Sequence, residues 1–104
     1  MVIPDRILFK IPDNITYDEA ALVEPAGVAA HAIAITPLKM NETIAVVGTG
    51  LIGLLVIQIL KATTSGRVLA FDTLAERRER ALEFGADAAF DPANSEKVQT
   101  VMRI

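Results

Sequence analysis

Residues 45–62, AVVGTGLIGLLVIQILKA, place three glycines inside a run that is otherwise almost wholly aliphatic. Such a run cannot be one continuous element. Residues 43–47 are β-branched and apolar and read as a buried strand. Beyond them Ile52, Leu55, Val56, Ile59 and Leu60 recur at helical spacing. Gly48, Gly50 and Gly53 therefore form G-x-G-x-x-G at a strand-to-helix joint, and each relieves a different crowding. Gly48 permits the sharp exit from the strand, Gly50 opens the backbone to close approach, and Gly53 lets the helix lie tightly on the sheet.

The chain repeats this alternation. Residues 67–71 read as a second strand ending at Asp72, and LAERRERALEF as an amphipathic helix closed by Gly85. AAF at 88–90 is a third short strand, and SEKVQTVMRI starts a helix with Val98, Val101 and Met102 on one side. Strand and helix alternating three times predict an α/β fold, a parallel sheet joined by right-handed crossovers with helices on both faces. Ahead of it, residues 2–3 and 7–9 read as extended pieces, and IPDN at 11–14 as a turn. TYDE at 16–19 has the pattern of a capping box. That helix should pause near Glu24, with Pro25 opening a second helix. No linker or repeat divides the chain. The expectation is one domain over 1–104, with a lead-in at 1–42 and a βαβαβα half at 43–104.

Composition narrows what the fold does. At 104 residues there is room for one core only. A net charge of −3 argues against a nucleic-acid partner. The absence of cysteine excludes disulfides and thiolate-bound zinc in these residues, and the lone His31 reads as a helix residue. The longest apolar run, 51–60, contains Gln58 and is too short for a bilayer, and the N-terminus lacks a signal-peptide pattern. A soluble, cytoplasmic protein without membrane partners is expected.

Asp72 gives the glycines a chemical reading. It closes the second strand nineteen residues after Gly53, where a carboxylate can accept hydrogen bonds from both ribose hydroxyls of an adenosine. A pyrophosphate would rest on free amides at the positive end of the helix. The candidate binding residues are Gly48, Thr49, Gly50, Leu51 and Gly53, with Asp72. The 2′-phosphate of NADP would lie against the carboxylate, so NAD is favoured. Rossmann domains that bind FAD usually carry Glu at this place, and methyltransferases, which bind S-adenosylmethionine, less often carry the third glycine. A tight turn with no ligand is the structural alternative. Arg77 has two readings, a cation beside the adenosine or a solvated residue pairing with Glu76 or Glu79.

IPDNITYDEAALVEPAGVAAHAI, VVGTGLIGLLVIQILKA and VLAFDTLAERRERALEFGADAAFDP together resemble the zinc-dependent medium-chain alcohol dehydrogenases, in the branch of sorbitol, threonine and related polyol dehydrogenases. The resemblance implies a two-part enzyme that oxidises a secondary alcohol and passes hydride to NAD at a zinc-polarised alkoxide. It implies that Asp72 binds the adenine ribose with Arg77 near it, that Ile52 packs on the nicotinamide, and that Val28 lies close to it. Glu24 matches a position that can approach or ligate the catalytic zinc, while in these residues alone it reads as an acidic residue near a helix start. The family's cysteine and G-H-E motif are not in these residues, and its nucleotide domain continues for three more strands. Only the 3-2-1 half of the strand order 3-2-1-4-5-6 is expected here. That half implies weak binding of NAD or ADP-ribose, no catalytic residue and no turnover, with zinc confined to a parent enzyme. It also leaves a strand edge open, which predicts a homo-oligomer.

Overall fold

The computed structural model describes residues 1–102. Residues 1–16 run ahead of the packed part and bury nothing completely. The two extended pieces expected there do not form strands. A single 3-10 turn at Asp5–Ile7 lies between them, closed by the Ile7 amide donating to the Pro4 carbonyl at 3.2 Å. An extended segment needs a partner ladder for its backbone groups, and none is within reach. This arm lengthens the molecule to 53 Å and raises its radius of gyration to 16.4 Å, where a compact chain of this length has about 13 Å.

Helix α1 (Tyr17–Ala20) begins with the capping box expected at Thr16. The Thr16 hydroxyl accepts from the Glu19 amide at 3.2 Å, and the Glu19 carboxylate accepts from the Thr16 amide at 2.8 Å. Helix α2 (Val23–Ala34) starts two residues before Pro25, so neither the pause at Glu24 nor an opening at Pro25 is seen. The turn falls at Ala21 and Leu22 instead. Pro25 is tolerated because first-turn residues have no intrahelical acceptor for an N–H.

From residue 44 the elements alternate as expected: β1 (Ile44–Val47), α3 (Leu51–Thr63), β2 (Val68–Phe71), α4 (Ala75–Glu83), β3 (Ala88–Phe90) and α5 (Ser95–Met102). Arg103 and Ile104, which end the helix anticipated over 95–104, lie outside the described residues, as do the side chains of Val101 and Met102. Among the described residues the sheet has three strands in the order β1-β2-β3, all parallel, with Val46 opposite Ala70 and Ala70 opposite Ala89. This is α/β architecture of Rossmann type.

Val46, Val68 and Ala70 point from the sheet into one cluster with Ile57 and Leu60 of α3 and Ala81 of α4. Alternation sends Val47, Phe71 and Phe90 to the opposite face. There Phe71 and Phe90 stack with ring centres 5.5 Å apart, and Val47 is 80% exposed. The cover expected for that face is therefore not supplied by α3 or α4. β1 departs from the buried strand anticipated at 43–47, since only Val46 is buried; it lies at the edge and pairs with β2 alone. On α3 the fully buried pair is Ile57 and Leu60, while Ile52 is exposed. A helix apolar on nearly every side does not announce which side meets the sheet. α4 ends as expected at Gly85, φ +113°, where the Ala86 amide reaches back to the Ala81 carbonyl at 2.9 Å.

Candidate functional site

β1 delivers the backbone to Gly48, whose amide donates to the Phe71 carbonyl at 2.8 Å as the last rung shared with β2. Its φ of +86° then turns the chain out of the sheet, a conformation costly for any residue with a side chain. Gly53 answers a different need. A Cβ there would collide with the Gly48 carbonyl oxygen and stand 3.0 Å from its carbon, so α3 packs on the turn only because that atom is missing.

Gly50 answers neither need. Its φ of −73° suits any residue. An added Cβ would meet only the Arg77 guanidinium, at 3.8 Å from Nη1 and 4.0 Å from Cζ, which is ordinary contact. The fold thus requires Gly48 and Gly53 but not Gly50. Gly50 is also the N-cap of α3, with no side chain bonded to the first-turn amides. Those amides and the helix dipole make this end attractive to an anion.

A cleft of about 480 Å³ opens over this turn. Thr49, Gly50, Leu51 and Leu54 form one wall, and Leu74, Glu76, Arg77 and Arg80 of the α4 end form the other. Asp72 lies beneath the cleft rather than on its wall, at 7% exposure. Its Oδ2 accepts from the Thr49 amide at 2.9 Å and stands 3.2 Å from the Thr49 hydroxyl, while its Oδ1 accepts from the Leu74 amide at 2.9 Å. These donors, the Leu74 and Thr49 amides foremost, hold the carboxyl below its ordinary value of 3.8 against the opposing effect of burial. Arg77 adds charge from 3.8 Å, but its side chain is 51% exposed, so the pair itself contributes little.

Of the residues singled out in the sequence, the structure brings Thr49, Gly50, Leu51 and Arg77 together on the cleft, with Gly48, Gly53 and Asp72 around its base. Ile52 (40% exposed) and Val28 (48% exposed, on α2) are not part of the lining, and Glu24 and His31 are exposed on α2. Glu76, one anticipated partner of Arg77, pairs with Arg80 instead. Leu74 and Arg78 were not anticipated. Leu74 holds Asp72 Oδ1, and a carboxylate bonding the amide two residues on is a common local turn, so that signal was legible. The Arg78 guanidinium donates to the Asp72 and Thr73 carbonyls at 2.8 and 2.9 Å, closing the end of β2.

No protein-family model matches the chain. Over 96 residues, 92% of this chain, it is 41% identical to (R,R)-butanediol dehydrogenase of Bacillus subtilis. Over nearly its whole length the chain is homologous to zinc-dependent alcohol and polyol dehydrogenases. Solved structures agree with this family. An alcohol dehydrogenase from E. coli CFT073, complexed with cofactor NADH, superposes over 98% of the chain with a TM-score of 0.87 and 30% identity. A dehydrogenase from Sinorhizobium meliloti 1021, classed as zinc-binding and bound to NADP, covers 88% with a TM-score of 0.81 and 31% identity. The chain spans 28% of the length of the Bacillus dehydrogenase, and 31% and 27% of the two solved chains.

The family's two cofactors fit this chain differently. The cleft over Gly50 and the uncapped amides of α3 suit a dinucleotide phosphate. Among the described residues no three His, Cys, Asp or Glu side chains come together to hold a metal. Among them also, no helix is long and apolar enough to cross a membrane.

Proposed function

We propose that residues 43–104 are the adenylate-binding half of an NAD-dependent alcohol or polyol dehydrogenase, with residues 1–42 as the lead-in, and that the chain turns over no alcohol by itself. In this reading the amides of Gly50, Leu51 and Ile52 receive the pyrophosphate, Gly48 and Gly53 set the turn, and Asp72 takes the adenosine ribose. Arg77, at the mouth of the cleft, lies beside that ribose. Ile52 and Val28 face the nicotinamide side, where this chain contributes least. NAD supplies the hydride acceptor when bound, and the residues here bind and orient it.

The observation that carries the proposal is the glycine at 50. Backbone conformation explains Gly48 and close packing explains Gly53, but no contact in the folded chain demands an absent Cβ at 50, where the N-cap position gives glycine only a modest advantage. A pyrophosphate resting on the turn does. The ionised Asp72 favours NAD over NADP, because a 2′-phosphate would meet a carboxylate that stays charged at neutral pH. The NADP complex of a relative makes this a point to measure.

Calorimetric titration of the chain with NAD, ADP-ribose and NADP tests the proposal. NAD and ADP-ribose should bind with dissociation constants above the micromolar range and NADP more weakly still. Gly50→Ala should weaken NAD at least tenfold while costing no more than about 1 kcal/mol of stability, the loss of a glycine N-cap. Micromolar or tighter NAD binding contradicts the half-site, and a preference for NADP contradicts the role of Asp72. No binding by the wild type leaves a purely structural turn. Saturation-transfer NMR with S-adenosylmethionine checks the remaining alternative.

A further inference from the structure

The first residue inside the glycine motif has a buried side chain that the binding scheme leaves unused. Thr49 is 0% exposed, and its hydroxyl stands 3.2 Å from Asp72 Oδ2 and equally 3.2 Å from the Arg77 carbonyl oxygen of α4. Its amide donates to the same Oδ2 at 2.9 Å. One residue therefore ties the phosphate turn, the acid at the end of β2 and the first turns of α4. A hydroxyl has one proton to give, and here it has two acceptors.

We infer, on the NAD reading above, that the Thr49 hydroxyl is a positioning group that fixes the Asp72 carboxylate for a ribose 2′-hydroxyl and so sets the discrimination between NAD and NADP. The two acceptors explain how it does so. A carboxylate oxygen offers about two lone-pair sites. The Thr49 amide takes one site of Oδ2 and the Thr49 hydroxyl stands within reach of the second, while Oδ1 keeps one site beside the Leu74 amide. A ribose 2′-hydroxyl takes the remaining site of Oδ1, while the Thr49 hydroxyl, seated between Oδ2 and the Arg77 carbonyl, keeps the carboxylate aimed. A side chain of the same shape without the hydroxyl puts a methyl group against a buried charge, and the carboxylate then turns toward Leu74 and Arg77. The ribose loses its aligned acceptor, whereas a 2′-phosphate, which Asp72 repels, loses nothing.

The test compares Thr49→Val with Thr49→Ser. Thr49→Val should weaken NAD about tenfold to a hundredfold, roughly the effect of one hydrogen bond to a charged group, with less than a twofold change for NADP. Thr49→Ser should restore both to wild-type values. In the ligand-free chain the titration midpoint of the Asp72 carboxyl carbon, read by NMR, should rise in Thr49→Val and stay put in Thr49→Ser. Equal losses for NAD and NADP, an unchanged NAD affinity in Thr49→Val, or a serine variant that fails to restore it, each overturns the inference. If Thr49→Val does not fold, Thr49→Ala carries the same comparison. A wild type that binds no NAD removes the cofactor reading and this role with it, whereas an unmoved Asp72 midpoint in the valine variant removes the Thr49 role alone.

Discussion

Asp72 is the residue on which stability and binding meet. It is buried, it accepts from two backbone amides and lies within reach of the Thr49 hydroxyl, and its carboxyl is held below the ordinary value of 3.8. A depressed native pKa adds stability that is fully present above the unfolded value and is lost as pH falls through the native one. The contribution of Asp72 should thus be complete at pH 7 and fade below about pH 4. Asp72→Asn should cost about 1.5–3 kcal/mol at neutral pH, as hydrogen bonds to a charged acceptor are lost. Urea unfolding at pH 7 and pH 3 checks this: the gap between variant and wild type should narrow in acid, and a gap independent of pH would show that the charge is not what stabilises the turn.

At the scale of elements, the register of α3 on the sheet is held at both ends. At its start Gly53 lies against the Gly48 carbonyl, and Gly53→Ala should destabilise by about 1–3 kcal/mol, since backbone cannot yield as a flexible side chain does. Gly50→Ala, three residues away, meets no such clash and should cost about 1 kcal/mol or less, the difference between a glycine and an alanine N-cap. Near the other end, Lys61 of α3 reaches Asp87 at 3.0 Å, and Asp87 Oδ2 also accepts from the Val68 amide at 2.7 Å. The Val68 amide, the Lys61 ammonium and the nearby Arg67 keep the Asp87 carboxyl below its usual range. The ion pair is about a third exposed and contributes little, whereas the Val68 amide starts a buried strand. Asp87→Ala should therefore cost more than Lys61→Met, about 1–2 kcal/mol against about 0.5 kcal/mol. Chemical denaturation of the two variants decides it, and the reverse order would mean that the salt bridge carries the clamp. Asp87 lies in one of the segments that carry the family resemblance, yet its partner Lys61 is 26 positions away.

For the whole molecule, the open edge of β1 governs behaviour in solution. Val47 is 80% exposed, and among the described residues no strand lies on the outer side of β1. Apolar edges of this kind pair with other chains unless something covers them. We expect self-association through β1 at micromolar concentration, measured by light scattering, and its loss in Val47→Lys, whose charge blocks edge pairing. A wild type that stays monomeric would mean that the edge is protected by its shortness alone.

Much of this architecture was readable before any coordinates, because its causes are local. The alternation of strands and helices, the capping box at Thr16, the stop at Gly85 and the turn at Gly48 each depend on residues within a few positions of one another. Where distant segments had to meet, the amino-acid order was silent. It did not show that α2 would begin before Pro25, that Ile57 rather than Ile52 would be buried, or that Val47 would lie open. Nor did it show that Oδ2 of Asp72 would be engaged by Thr49, 23 positions earlier. Only the parallel pairing of β1 with β2 brings the ends of those strands side by side and leaves a buried carboxylate no water to bond, so it takes the donors that the fold places around it.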